Sequence, residues 1–186
     1  AAILPEAKRQ LDRRPTKNLA AYEQFLKGRE QRNSGLSRGK TIAAEKIFQR
    51  AVDLDPGFAA AWAELAVVHS EFVFQSQDTT PARLAKADAA ISQAIRLAAD
   101  SPDVMRSLGI YTYWRHRDYA RAAAQFEKLR AMQPNDASVY HWLGTIQRRQ
   151  NRWVESLANQ RRATALEPVN VTNSNTFLES LNASRR

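Results

Sequence analysis

The sequence predicts an all-α fold, an array of antiparallel helix pairs, and three observations carry that prediction. Glycine and proline number only 6 and 7 among 186 residues while alanine is abundant, a composition that favours helix before any pattern is considered. Positions at offsets 0, 4, 7 and 12 recur four times: Ala44, Phe48, Ala51, Pro56; Ala87, Ile91, Ala94, Ala99; Ala122, Phe126, Leu129, Pro134; and Ser156, Gln160, Ala163, Pro168. Upstream of the last three of these blocks, Trp62, Met105 and Tyr140 are each followed three positions later by Leu65, Leu108 and Leu143, then by a small residue.

Spacings of three and four place these side chains on one face of a helix. Small residues at Ala44, Gly109, Ala122 and Gly144 let two helices approach closely, while Trp62, Leu65, Leu108, Phe126 and Leu143 fill the space between neighbouring pairs. Proline ends three of the four units, because it cannot continue a helix and biases the residue before it away from helical angles. The interval from Pro134 to Pro168 sets a period of 34 residues, in the range of helical repeat arrays.

In chain order, residues 1–17 are read as a leading helix or linker, with Ile3, Leu4, Ala7 and Leu11 on one side of an amphipathic segment that would cap the array or lead in from an upstream domain. Residues 18–57 form the first and most degenerate repeat, opened by a capping Asn18 and interrupted by a loop from Asn33 to Gly39. Residues 58–101 form an enlarged second repeat, its excess falling around Phe72 to Thr80. Thr80-Pro81 and Ser101-Pro102 each offer a capping hydroxyl followed by proline at the first helical position. Residues 102–136 carry one residue more than the period, near Arg115-His116-Arg117. Residues 137–170, capped by Asp136, are the most regular repeat, and residues 171–186 read as the first helix of a truncated fifth.

Composition bounds the function. The chain is 44% hydrophobic and 25% charged and has no cysteine, which excludes disulfides, thiolate nucleophiles and cysteine-ligated zinc. Its apolar stretches, such as Phe58 to Val68, are interrupted and too short to span a membrane. Nothing resembles a signal peptide; the chain is read as a domain of a longer protein, with the cytoplasm the expected compartment and the periplasm left open. The formal charge of +9 is uneven: residues 1–50 carry 12 basic and 5 acidic side chains, residues 51–100 carry 3 and 7, and residues 101–186 carry 13 and 7. Basic ends flank an acidic middle, which either steers an acidic partner or reflects solvated helix faces.

Over residues 18–182 this pattern resembles the tetratricopeptide repeat. The fourth repeat carries the resemblance best through Tyr140, Leu143, Gly144, Trp153, Ser156, Ala163 and Pro168, and departs from it at Gln160, where the family prefers an aromatic residue. The resemblance implies a right-handed superhelix whose first helices line a concave groove, acting as a scaffold for protein or peptide segments. A narrower resemblance lies in Arg14-Pro15-Thr16-Lys17-Asn18 followed by Ala21-Tyr22, Phe25-Leu26 and Gly28-Arg29. It is similar to the entry of the repeat region in bacterial signalling proteins in which a winged-helix regulator, an adenylate or guanylate cyclase, or a Ser/Thr kinase domain precedes the repeats.

Carried over by position, the family's groove residues are Ala60, Ala63, Val67, Ser70 and Glu71 in the second repeat. In the third they are Asp103, Arg106, Ile110, Tyr113 and Trp114, and in the fourth Ser138, His141, Thr145, Arg148 and Arg149. The implied peptide site is Arg106, Ile110, Tyr113, Trp114, His141, Thr145, Arg148 and Arg149, aromatic area beside planar cationic donors, suited to an acidic segment. In the alternative, Trp114 packs beneath the following turn and the arginines are solvated. The family's clamp for chaperone tails needs Lys and Asn four apart on the first groove helix. Glu23 and Lys27 stand there instead, so chaperone-tail binding is not expected.

A second class of function is structural: packing on a parent domain, or homodimerisation through the open C-terminal end, where Phe177, Leu178 and Leu181 have helical spacing and would lack a covering helix. Nucleic-acid binding ranks below both. Arg148, Arg149, Arg152, Arg161 and Arg162 cluster in one repeat but are not repeated along the array, as a phosphate-tracking strip would be. No enzymatic activity, metal or cofactor is expected. His69, His116 and His141 lie in different repeats without ligand spacing, and no phosphate loop or nucleophile motif occurs.

Overall fold

The computed structural model describes residues 15–33, 35 and 37–183. The expected leading helix therefore lies outside the described residues for positions 1–14. Among the described residues there are nine α-helices and no strand. They are α1 (Leu19–Asn33), α2 (Arg38–Leu54), α3 (Ala59–Phe74), α4 (Pro81–Ala98), α5 (Pro102–Tyr111), α6 (Tyr119–Met132), α7 (Ala137–Arg149), α8 (Trp153–Leu166) and α9 (Val171–Ala183), with a π-helical turn over Thr112–His116 between α5 and α6. The chain divides into two compact bodies, Ala1–Ala99 and Asp100–Arg186.

In the first body α1 pairs with α2 and α3 with α4, and α2 packs on α3. In the second, α5 and its π turn pair with α6, α7 pairs with α8, α6 packs on α7, and α9 closes on α8. The short connections make each pair antiparallel. The core of each body is the set of recurring positions: Ala44, Phe48, Ala51, Leu65, Ala87, Ala94, Ala122, Phe126, Leu129, Leu143 and Ala163 are all at most 1% exposed. Burying one such Phe or Leu stabilises the fold by about 1.5–3 kcal/mol.

The caps follow from the backbone groups each helix start leaves unpaired. Asn18 Oδ1 accepts from the Ala21 amide at 3.1 Å, Thr80 Oγ1 from Arg83 at 3.3 Å, Asp118 Oδ1 from Arg121 at 3.0 Å and Asp136 Oδ1 from Ser138 at 2.9 Å. The hydroxyl of Ser101, expected to cap α5, makes no capping bond; Pro102 at the first helical position leaves it one amide fewer to satisfy. A tie recurs between repeats: Trp62 Nε1 donates to the Pro56 carbonyl at 2.9 Å, and the Tyr140 hydroxyl to the Pro134 carbonyl at 2.8 Å.

The enlarged stretch of the second repeat is held by one arginine. Arg83, near the start of α4, donates to Asp78 Oδ2 at 2.9 Å, to Glu45 Oε1 at 2.8 Å and to His69 Nδ1 at 2.7 Å, with its guanidinium 4.1 Å from the centre of the Phe72 ring. Burial and the Arg83 charge push His69 down to about 4, against the opposing pull of Glu45, so its ring is neutral at pH 7 and accepts from the arginine.

Candidate functional site: the α7 face

The extra residue of the third repeat is taken up inside the helix. After Tyr111 the chain widens into a π turn over Thr112–His116 and then stops at Arg117, in the left-handed region at φ 55°. A π turn adds one residue without breaking the helix, and it rotates the side chains that follow. Tyr113 and Trp114, within this turn, pack on Trp142 of α7, with ring centres 6.1 and 5.5 Å away in edge-to-face geometry. Phe126 stacks on the same indole at 6.1 Å and His141 meets it edge-on at 5.5 Å.

These contacts revise the expected ring area. Tyr113 is 2% exposed, Trp114 6% and Ile110 4%; the rings form the wall beneath the face and do not project from it. The Tyr113 hydroxyl accepts from Arg149 Nε at 3.1 Å, so one aromatic group positions one cationic group.

Arg106 is likewise engaged. Its guanidinium donates to Asp103 Oδ1 at 3.0 Å, Ser138 Oγ at 3.0 Å, Gln133 Oε1 at 3.2 Å and Asp136 Oδ2 at 2.5 Å. It clasps α5 to the start of α7. Burial pushes Asp136 up, but bonds from Ser138 and the Arg106 charge outweigh this and hold the carboxyl below its ordinary value. Arg148 donates to Ser180 Oγ of α9 at 3.3 Å and lies 3.6 Å from the Glu179 carboxylate.

The residues left on the α7 face are His141 and Thr145, one turn apart, with Arg148 and Arg149 a turn beyond. His141 Nδ1 and Thr145 Oγ1 are both buried and have no hydrogen-bond partner. Burial first, then the Arg148 charge, lower His141 to about 4, so its imidazole is neutral at pH 7. The face therefore combines a neutral ring nitrogen, a hydroxyl and two arginines, one of them, Arg149, exposed.

The corresponding positions of the first body differ in character. Ala60, Ala63, Val67, Ser70 and Glu71 of α3 are all buried, and the Glu71 carboxylate is satisfied by Thr41 Oγ1 at 2.7 Å and Gln75 Nε2 at 3.0 Å. At the C-terminal end, Leu178 is 57% exposed, while Phe177 and Leu181 are half-buried. Among the described residues no group of three or more His, Cys, Asp or Glu side chains stands in a metal-holding arrangement, and no described helix is long and apolar enough to cross a membrane.

Sequence reasoning missed the Arg83 cluster and the π turn. Asp78-Thr79-Thr80-Pro81 with Arg83 beyond it carried a signal for the cluster. The surplus residue over the period marked the position of the turn, not its form.

Residues 110–170 match the family model described as tetratricopeptide repeat. No curated protein matches the sequence significantly. The structure is similar to TTC0263, a thermophilic tetratricopeptide-repeat protein of Thermus thermophilus, with a TM-score of 0.68 and 16% identity over 94% of this chain and 86% of that one. It is also similar to pilF of Pseudomonas aeruginosa, with a TM-score of 0.59 and 21% identity over 89% of this chain and 69% of that one. The fold is thus the all-α tetratricopeptide-repeat fold.

Proposed function

We propose that the chain is a non-enzymatic protein-interaction module whose α7 face, His141, Thr145, Arg148 and Arg149, receives an extended acidic segment of a partner protein. One observation carries this reading: two buried polar atoms one turn apart, His141 Nδ1 and Thr145 Oγ1, lack partners. Each such group costs about 1–3 kcal/mol, and a polypeptide main chain offers the amide and carbonyl groups that would recover it. Arg149 supports the acidic character of the segment, since its Nε bond to Tyr113 fixes the guanidinium plane and a planar fork suits carboxylates. Tyr113, Trp114 and Ile110 serve this site from behind, as the packed wall, and Arg106 as the clasp that sets the start of α7.

The wider role as a regulatory module of a larger signalling protein rests on the entry sequence Arg14 to Asn18 and its likeness to such proteins. A second reading, self-association through Phe177, Leu178 and Leu181, is favoured by the exposure of Leu178.

The test is fluorescence anisotropy with labelled extended acidic peptides selected from a library. Binding that falls at least about tenfold in Thr145→Val and in Arg149→Glu, with helicity unchanged, supports the α7 site. Binding that both variants leave intact overturns it.

A further inference from the structure

We propose that α9 is a releasable strap on the α7 site, holding Arg148 through Glu179 and Ser180 until the acidic segment of a partner takes the arginine. The inference rests on the reading of α7 above and names how that site is regulated. One period of 34 residues separates α7 from α9. Glu179 therefore falls at the repeat position of Thr145, and Asn173 and Ser180 at those of Val139 and Ile146. Arg148 Nη1 lies 3.6 Å from the Glu179 carboxylate and donates to Ser180 Oγ at 3.3 Å. The carboxylate that meets Arg148 is thus the protein's own, and it is 69% exposed against 21% for the arginine side chain. A long, solvent-exposed pair of this kind is weak. A carboxylate lying along α7, where Arg149 offers a second cation, competes with it for Arg148.

The interior of α9 makes it the element that yields. Val139 and Ile146 of α7 are aliphatic and 0% exposed. At the same positions α9 carries Asn173, 4% exposed, and Ser180, 0% exposed. Asn173 Nδ2 is buried without a partner, which is costly for a polar group, and the Ser180 hydroxyl donates to the Thr176 carbonyl at 2.9 Å. Leu178 leaves 57% of its surface in solvent. Few buried apolar groups and an unsatisfied amide mark a helix that opens before the rest of its body. Coupling between strap and partner is reciprocal: a bound carboxylate loosens α9, and a firmer α9 weakens the binding.

Native-state hydrogen exchange of the full chain tests this, with hexaglutamate as the probe. Without peptide, the amides of residues 177–181 exchange at least about tenfold faster than those of residues 141–148. Hexaglutamate speeds them a further two- to fivefold or about that, does not do so in Glu179→Gln, and binds Asn173→Val more weakly than the wild type in fluorescence anisotropy. The strap is overturned if α9 exchanges as slowly as α7, if hexaglutamate slows α9 or leaves it unmoved, or if the acceleration persists in Glu179→Gln. Undiminished binding by Asn173→Val overturns it too. Failure of the α7 site itself looks different: hexaglutamate binding that Thr145→Val leaves intact counts against that site. Binding that Thr145→Val weakens while α9 is unmoved counts against the strap alone.

Discussion

Phe126 occupies the space that a side chain on Gly109 would need: a β-carbon there would stand 2.6 Å from Cε2 of the ring. The same relation joins Gly28 to Phe48 and Gly144 to Gln160, each with a nearest distance of 2.6 Å. It is the contact by which the two helices of a pair close on each other, and it sets a sign for substitution. Alanine for glycine inside a helix ordinarily stabilises by about 1 kcal/mol. At Gly109 it drives into a ring that is 0% exposed, and overpacking of this kind costs about 1–3 kcal/mol. Gly109→Ala is therefore expected to lower the urea midpoint of the full chain, and a raised midpoint would show that Phe126 yields.

Gln160 stands where the other pairs carry an aromatic or aliphatic side chain. It is 1% exposed; its Nε2 donates to Ser156 Oγ at 3.3 Å, while its Oε1 is buried without a partner. Gln160→Phe places over Gly144 the ring that Phe126 places over Gly109. It is expected to stabilise by about 1 kcal/mol through removal of the unpaired oxygen, measured by urea unfolding.

Arg106→Ala removes the clasp and leaves Asp136 with the Ser138 bonds alone. A loss of about 1–3 kcal/mol is expected. The Asp136 carboxyl, held low by the Arg106 charge and hydrogen bond together with Ser138, is expected to titrate higher in NMR of the variant. An unchanged Asp136 titration would contradict the assignment.

The histidines define a pH window. His69 and His141 are each lowered to about 4 from 6.5, so between these values the unfolded chain binds more protons than the folded one. Stability then rises with pH across the interval: it is full above about 6.5 and falls as pH drops towards 4. His141→Gln is expected to flatten part of the fall in thermal midpoint between pH 6.5 and 4.5. A slope identical to that of the wild type would contradict the burial of His141.

The fold was legible in the sequence because the repeat writes the same contact several times. Phe48, Ile91, Phe126 and Gln160 share an offset, and Gly109 and Gly144 opposite the last two were legible as close-approach positions, whereas Gly28 opposite Phe48 was not. The site was less legible. Position within the repeat placed Tyr113 and Trp114 on the face, but the helix widens into a π turn over Thr112–His116 and both rings pack on Trp142. An extra residue does not announce in sequence whether it enters a loop or a helix. Arg106 was legible as a cation on the face and illegible as a clasp, since its partners Gln133, Asp136 and Ser138 come from another segment.

The α7 site is tested most directly by NMR titration of the full chain with an acidic peptide selected for binding. The largest shifts are expected at His141, Thr145, Arg148 and Arg149, with His141 still neutral at pH 7. Shifts centred instead on α9, around Leu178, or on α6 and α8 with α7 undisturbed, would contradict the account.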